Sequence, residues 1–201
     1  MKKGGIFRSY GRSCASYPHC GIGGSAGALN AYVDLLYAIP FNTGMAFVII
    51  SHMNPSAHSD LAKILSRHTK MAVNIASDAM PILANHVYVI PSNADLLIEN
   101  YTFKVISPRS GRNKQMNIFF TSLAEEMGVR AIGIILSGYC GDGTDGCKNI
   151  KEHGGKTFSQ DMSAEINSMP LRAQASGYVD FVMPLANIPA KLKSLAAAIN
   201  T

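Results

Sequence analysis

Gly21-Ile22-Gly23-Gly24-Ser25-Ala26-Gly27, followed by the unbroken apolar run Met45-Ala46-Phe47-Val48-Ile49-Ile50, decides how this chain is read. An apolar run of that length between polar flanks marks a strand buried on both faces. The glycine-rich segment ahead of it marks a tight hand-over from a first strand, leading into Gly21, to a helix expected from about Leu29 to Ala38. A strand, a helix and a second, fully apolar strand are the start of a parallel sheet.

The alternation continues outward from there. A helix should follow with Ser59 as its N-cap and Leu61, Ile64 and Leu65 on its inner face, and Met71 to Ala76 reads as a strand. His86 to Ile90, Leu96 to Glu99 and Thr102 to Ile106 are short β-type runs broken by Pro91-Ser92-Asn93 and Asn100, a spacing that predicts a hairpin excursion. Helical patterning returns from Met116 to Met127, and Arg130 to Ser137 is a second strongly apolar strand. The next helix ends near Gly154-Gly155. Lys156 to Gln160 and Tyr178 to Met183 are the last strands, and Ile188 to Ile199 closes the chain as an amphipathic helix. The expected fold is α/β: a doubly wound, mostly parallel sheet with helices on both faces and a β-hairpin excursion.

Bulk properties set limits on function. The 201 residues, 47% hydrophobic and 15% charged, suit one domain that buries roughly 70% of its unfolded surface. Residues 1–20 are basic and contain glycine but lack the apolar core of a secretion signal, so they read as a loose arm or an appended remnant before a domain at 21–201. No apolar run approaches the roughly 18 residues of a membrane span, so a cytoplasmic address without membrane insertion is expected. Cys14, Cys20, Cys140 and Cys147 make no CxxC pair and read as free thiols, not as metal ligands with His19. No metal and no cofactor are expected. The net charge of +5 favours an acidic partner, but no Lys/Arg stripe interleaved with aromatics suggests nucleic acid.

The glycine-rich turn carries two chemical readings beside that of a plain βα turn. Gly21, Gly23 and Ala26 satisfy the dinucleotide fingerprint, while Gly23 to Gly27 satisfies G-x-S-x-G, in which small neighbours let a serine stand on a strained turn. A dinucleotide site wants an acidic residue after the second strand. The chain has Ser51-His52 there and no carboxylate before Asp60. Ligands of open parallel sheets bind at the carboxyl ends of the strands, which puts Ser25 and His52 on one edge. His58, His68, His86 and His153 lack that position and read as structural or surface residues. The third loop on the edge, Gly138 to Gly146, offers Asp142 and Asp145. Asp145, nearly one helical turn on, suits a helix first turn better.

Five ordered segments carry a resemblance: GIGGSAGALN, FVIISHMNPSAHSDLAKILSRHT, HVYVIPSNADLLI, FFTSLAEEMGVRAIGIILSGYCGDGTDG and SMPLRAQASGYVDFVMPL. Over about Gly21 to Leu192 the chain resembles the catalytic domain of the chemotaxis protein-glutamate methylesterase CheB, above all the version in CheB/CheR fusion proteins. The resemblance implies a hydrolase of glutamate γ-methyl esters on chemoreceptors, with glutamine deamidation in some members. It also implies Ser25 as nucleophile, His52 as general base and Asp142 as orienting acid, with Ala26, Gly27 and the Tyr139 loop about the oxyanion. Methylated chemoreceptor cytoplasmic domains are the implied partners, and a parent protein with a receiver or methyltransferase domain fits the same likeness. The chain departs from the family at Gly27-Ala28 (often a second Gly pair), Ser51 (Gln), Asn117 (Asp) and Tyr139-Cys140 (Met-Gly or Thr-Gly). Two other classes compete: a non-catalytic receptor-binding domain of the same fold, and a Rossmann-type nucleotide-binding module. For an esterase, His52 should titrate near the ordinary imidazole value of about 6.5.

Overall fold

The computed structural model describes residues 16–52 and 60–199. Seven strands form one sheet in the order β3-β4-β2-β1-β7-β8-β9, every neighbouring pair parallel. They are β1 (His19–Gly24), β2 (Ala46–Ser51), β3 (Ala72–Ile75), β4 (His86–Val89), β7 (Ala131–Ile135), β8 (Lys156–Gln160) and β9 (Phe181–Met183). The helices are α1 (Ala28–Ala38), α2 (Leu61–Ser66), α3 (Gln115–Met127), α4 (Thr144–Glu152), α5 (Ser168–Ala175) and α6 (Ile188–Ile199). A separate antiparallel pair, β5 (Asp95–Glu99) and β6 (Thr102–Ile106), is the expected hairpin.

The apolar run in β2 shows why the sheet is sandwiched. Phe47 and Ile49 enter one core cluster with Tyr32 and Leu35 of α1 and Leu192 of α6. Val48 and Ile50 enter the other, with Phe119, Phe120 and Leu123 of α3. Strand alternation therefore feeds both layers from one unbroken apolar sequence. Each fully buried side chain of this size contributes on the order of 1.5–3 kcal/mol.

Glycines on the α3 side set the spacing between layers. A Cβ at Gly21 would lie 2.7 Å from Phe120 Cε1, and one at Gly23 would lie 2.7 Å from Met116 Sδ. With no side chains there, α3 drops close onto β1, and its N-terminus comes to rest beside the strand's carboxyl end. The dinucleotide reading fails on the same fact. Gly21 and Gly23 are interior strand residues covered by α3, not a turn open to a pyrophosphate.

Two further expectations change. His86 to Ile90, expected in the hairpin, instead forms β4, which lies between β2 and β3 in the main sheet. Val87 and Val89 face one core cluster while Tyr88 and Ile90 face the other, the signature of an interior strand. The arm boundary at residue 20 falls inside β1, where His19 and Cys20 are fully buried; as consecutive strand residues they point to opposite faces and cannot converge on a metal. Helix α2 starts after Asp60, and the Ser59 cap, like Cys14 and His58, lies outside the described residues. Among the described residues no helix is long and apolar enough to cross a membrane.

Candidate active site

Ser25, His52 and Asp142 all follow carboxyl ends of the three central strands, in the order β2-β1-β7. Between β1 and β7 the chain's connections diverge to opposite halves of the sheet, the place where open α/β sheets bind ligands. Pairing of β1 with β7 runs on past the regular strands: Leu136 N–H donates to Gly23 O at 2.8 Å and Ser25 N–H to Ser137 O at 2.9 Å. Ser25 is thus the last rung of the sheet. Ser137 Oγ donates to Ala26 O at 2.9 Å and accepts from Ile166 N–H at 2.9 Å, which ties the turn to the loop after β8. Gly138 leaves room for its neighbours: a Cβ there would meet Met169 Sδ at 2.5 Å and Ser25 Cβ at 3.1 Å, so a side chain would force Met169 to shift beside the serine.

The serine itself is not strained. Among the described residues the left-handed backbone in this turn belongs to Gly27 (φ 72°), which caps α1, and Ser25 is absent from the positive-φ residues. The strained-elbow expectation is corrected accordingly: the glycine takes the unusual conformation and leaves the serine half-buried at the end of its strand.

His52 and Asp142 form the site's central pair. Nε2 lies 2.6 Å from Asp142 Oδ2, and because a carboxylate only accepts, Nε2 carries the proton. The carboxylate is fully buried yet richly bonded: Met116 N–H donates to Oδ2 at 3.0 Å, and Asn117 and Gly143 N–H donate to Oδ1, each at 3.0 Å. Two of these donors are the first-turn amides of α3, so the positive end of a helix faces a carboxylate from another part of the chain. Burial alone would lower the His52 pKa, but the hydrogen bond to Asp142, then Cys140, push it up to about 9. The expected value near 6.5 is overturned by this fixed negative charge.

The other nitrogen, Nδ1, faces Cys140 Sγ at 3.5 Å. Among the described residues no hydrogen bond joins Ser25 Oγ to His52. Asp145 goes elsewhere, as its spacing suggested: it is exposed in the first turn of α4, with Asn117 Nδ2 3.4 Å from its Oδ2. Asn117 Oδ1 in turn accepts from Gly143 and Gly146 N–H at 2.9 Å each. Ala26 is exposed, Gly27 half-buried, and Tyr139 is 65% exposed. A cleft of about 560 Å³ borders Gly27 and is lined by Asp34, Gln160 and Glu165, but it includes neither His52 nor Asp142. His86 and His153 bond to local carbonyls, consistent with the structural role read for them.

A hydroxyl, an imidazole and a buried carboxylate on adjoining strand ends of a doubly wound sheet are the outline of a hydrolase of α/β class. Comparison with known proteins makes that particular: the chain belongs to the CheB methylesterase family, whose sequence model matches residues 20–192. A protein-glutamate methylesterase/protein-glutamine glutaminase of Hydrogenovibrio crunogenus is 33% identical over 181 residues, 87% of this chain and 48% of that protein. A Leptospira interrogans relative is 33% identical over 171 residues, 83% of this chain and 89% of its own. The crystal structure of the Thermotoga maritima CheB methylesterase catalytic domain superposes with a TM-score of 0.82 at 26% identity, covering 90% of this chain and 99% of that one. The match spans about half the length of the Hydrogenovibrio relative and of one from Geobacter metallireducens.

Sequence reasoning missed the α3 amides, the side chain of Asn117 as a functional contact, and the position of Cys140 over the imidazole. Backbone donors leave no side-chain signal. Asn117 and Cys140 did leave one, as departures from the family pattern.

Proposed function

We propose that this chain hydrolyses glutamate γ-methyl esters on the cytoplasmic domains of chemoreceptors, with glutamine deamidation as the related amide reaction. The single observation that carries the reading is the 2.6 Å His52–Asp142 pair at the sheet edge, one strand from the Ser25 turn. Asp142 fixes the proton on Nε2 and leaves Nδ1 as the base. Ser25 Oγ attacks the ester carbonyl as Nδ1 takes its proton, and the imidazolium returns that proton to methanol. The Ser25 N–H is already bonded to Ser137, so the oxyanion falls to the Ala26 and Gly27 amides at the start of α1, beside the Tyr139 loop. Losing one such donor typically costs roughly 10²–10³ in rate. The +5 charge aids encounter with an acidic receptor segment.

The test is methanol release from methylated receptor fragments by wild type and Ser25→Ala, with circular dichroism to check folding. Ser25→Ala should lower kcat by roughly 10⁴ or more. A folded Ser25→Ala protein that still turns over at the wild-type rate removes the serine from its role.

A further inference from the structure

Cys140 lies in the loop between β7 and α4, and its side chain is turned toward His52. Sγ stands 3.5 Å from His52 Nδ1, while Nε2 of the same ring is held by Asp142 at 2.6 Å. Thiol, imidazole and carboxylate are therefore connected in series, and the carboxylate is anchored by three backbone amides. With Nε2 carrying its proton, Nδ1 is the ring's only acceptor, and the group on it is the thiol.

The other described cysteines set the contrast. Cys20 and Cys147 are fully buried, and burial pushes both thiols up, Cys147 to about 12. Cys140 is half-buried and reachable from solvent. Burial would raise its pKa too, but the hydrogen bond to His52 prevails and holds the thiol below its ordinary range. Among the described residues the charged groups facing this loop include His52, Asp142 and Arg172 of α5, whose side chain would lie 3.4 Å from a Cβ at Gly141. A thiol with a positioned base and an oriented base is the arrangement of an activated nucleophile.

We propose that Cys140 is a second nucleophile of this site, sharing His52 as its base with Ser25. The proposal rests on the hydrolase reading for His52 and Asp142 but assigns bond formation to a different atom. The thiol proton passes to Nδ1, Sγ bonds to the carbonyl carbon of an ester, and the carbonyl pair moves onto oxygen. As the carbonyl re-forms, the bond to the alkoxy oxygen breaks, and His52 gives its proton to the departing alcohol. Water then attacks the thioester and passes a proton to Nδ1; the C–S bond breaks, and sulfur recovers that proton. One base serves one nucleophile at a time, so the thiolate–imidazolium pair withholds His52 from Ser25. Activated esters and other soft acyl donors are the substrate class a thiolate favours.

The full chain incubated with p-nitrophenyl acetate, then mapped by peptide mass spectrometry, tests this. In Ser25→Ala, p-nitrophenolate release should persist and the acetyl group should be found on Cys140. His52→Gln should slow that acylation by roughly 10²-fold, the usual contribution of a positioned base. Cys140→Gly should move the pH midpoint of the Ser25-dependent reaction downward, because His52 loses one of the two groups that raise its pKa. Iodoacetamide labelling of the wild-type protein supplies a measure that needs no variant: Cys140 should react faster in the folded chain than in urea. No acetyl on Cys140 in folded Ser25→Ala, or labelling no faster than in the unfolded chain, overturns the proposal. Failure of the function reading looks different: methylated receptor fragments would release no methanol with wild type, whatever Cys140 does with p-nitrophenyl acetate.

Discussion

Two buried histidines stand at opposite ends of the same sheet and are driven in opposite directions. His19 opens β1, is 0% exposed and stacks on Tyr17 with ring centroids 4.8 Å apart. Its Nδ1–H donates to Tyr17 O at 2.9 Å, and its buried Nε2 has no hydrogen-bond partner among the described residues. Burial lowers its pKa to about 4, against the weaker pull of that carbonyl. His52, just past the far end of β2, is raised to about 9 although burial opposes the charge there as well. The difference is the partner. A carbonyl dipole cannot offset desolvation of an imidazolium, whereas a hydrogen-bonded carboxylate can. The amides of Met116, Asn117 and Gly143 anchor that carboxylate against His52 at one end of the sheet, whereas His19 at the other has the Tyr17 carbonyl as its hydrogen-bond partner among the described residues.

The sharpest way to break this contrast is to remove the charge. Asp142→Asn should lower kcat by up to roughly 10⁴, since an amide can hold the wrong imidazole tautomer, and should bring His52 down toward the ordinary range. Kinetics and NMR titration of the imidazole check both effects, and an unmoved His52 would show that Asp142 is not the source of its shift. The intact pair makes a pH prediction of about 10²: with a base near pH 9, kcat/KM should keep rising from neutrality toward pH 9 instead of levelling above 6.5. A profile flat above pH 7 would contradict it.

The two residues also act oppositely on stability. Unfolded His19 takes a proton near 6.5 but the folded residue only near 4, so its burial destabilises the fold as pH falls through that window. His52 contributes stability that is complete below about 6.5 and lost as pH rises through about 9. His19→Phe, which keeps a ring against Tyr17, should therefore remove up to about 3 kcal/mol of acid-side loss between pH 6.5 and 4, measured by urea unfolding at several pH values. The smallest effect belongs to Asp145→Asn. That carboxylate is three residues from Asp142 yet exposed and away from His52, so turnover should stay within a few-fold and stability within about 1 kcal/mol. A large kinetic loss would move the orienting role by one helical turn.

The central strands and the carboxyl-end positions of Ser25, His52 and Asp142 were legible because periodicity and sheet chirality act on short, local patterns. What escaped was decided by tertiary packing. Gly21 and Gly23 looked like a loop signal, yet their role is to admit Phe120 and Met116 against β1. His86 to Ile90 looked like hairpin material because short turn segments, Pro91-Ser92-Asn93 and Asn100, separate it from the next two β-type runs, and only its two-faced burial marks it as an interior strand. Helix α5 gave no periodic signal; Pro170 sits in its first turn, where a missing N–H is tolerated, and buries with Met169 and Ala173. The raised pKa of His52 depends on Asp142 and Cys140 being brought to the two sides of one ring, a placement made by the loop and not by sequence spacing.

Asn117 and Asp142 form a reciprocal clasp. Asp142, just ahead of α4, receives the first amides of α3, while Asn117, in the first turn of α3, receives the amides of Gly143 and Gly146 at the start of α4. Neither helix can fray at its N-terminus without stripping partners from the other. The two ends consequently belong to one cooperative opening unit, not two independent ones. Order at the acid of this site is therefore all-or-none: a fluctuation that frees Asp142 undoes two helix starts together, and until it does, His52 is held in place.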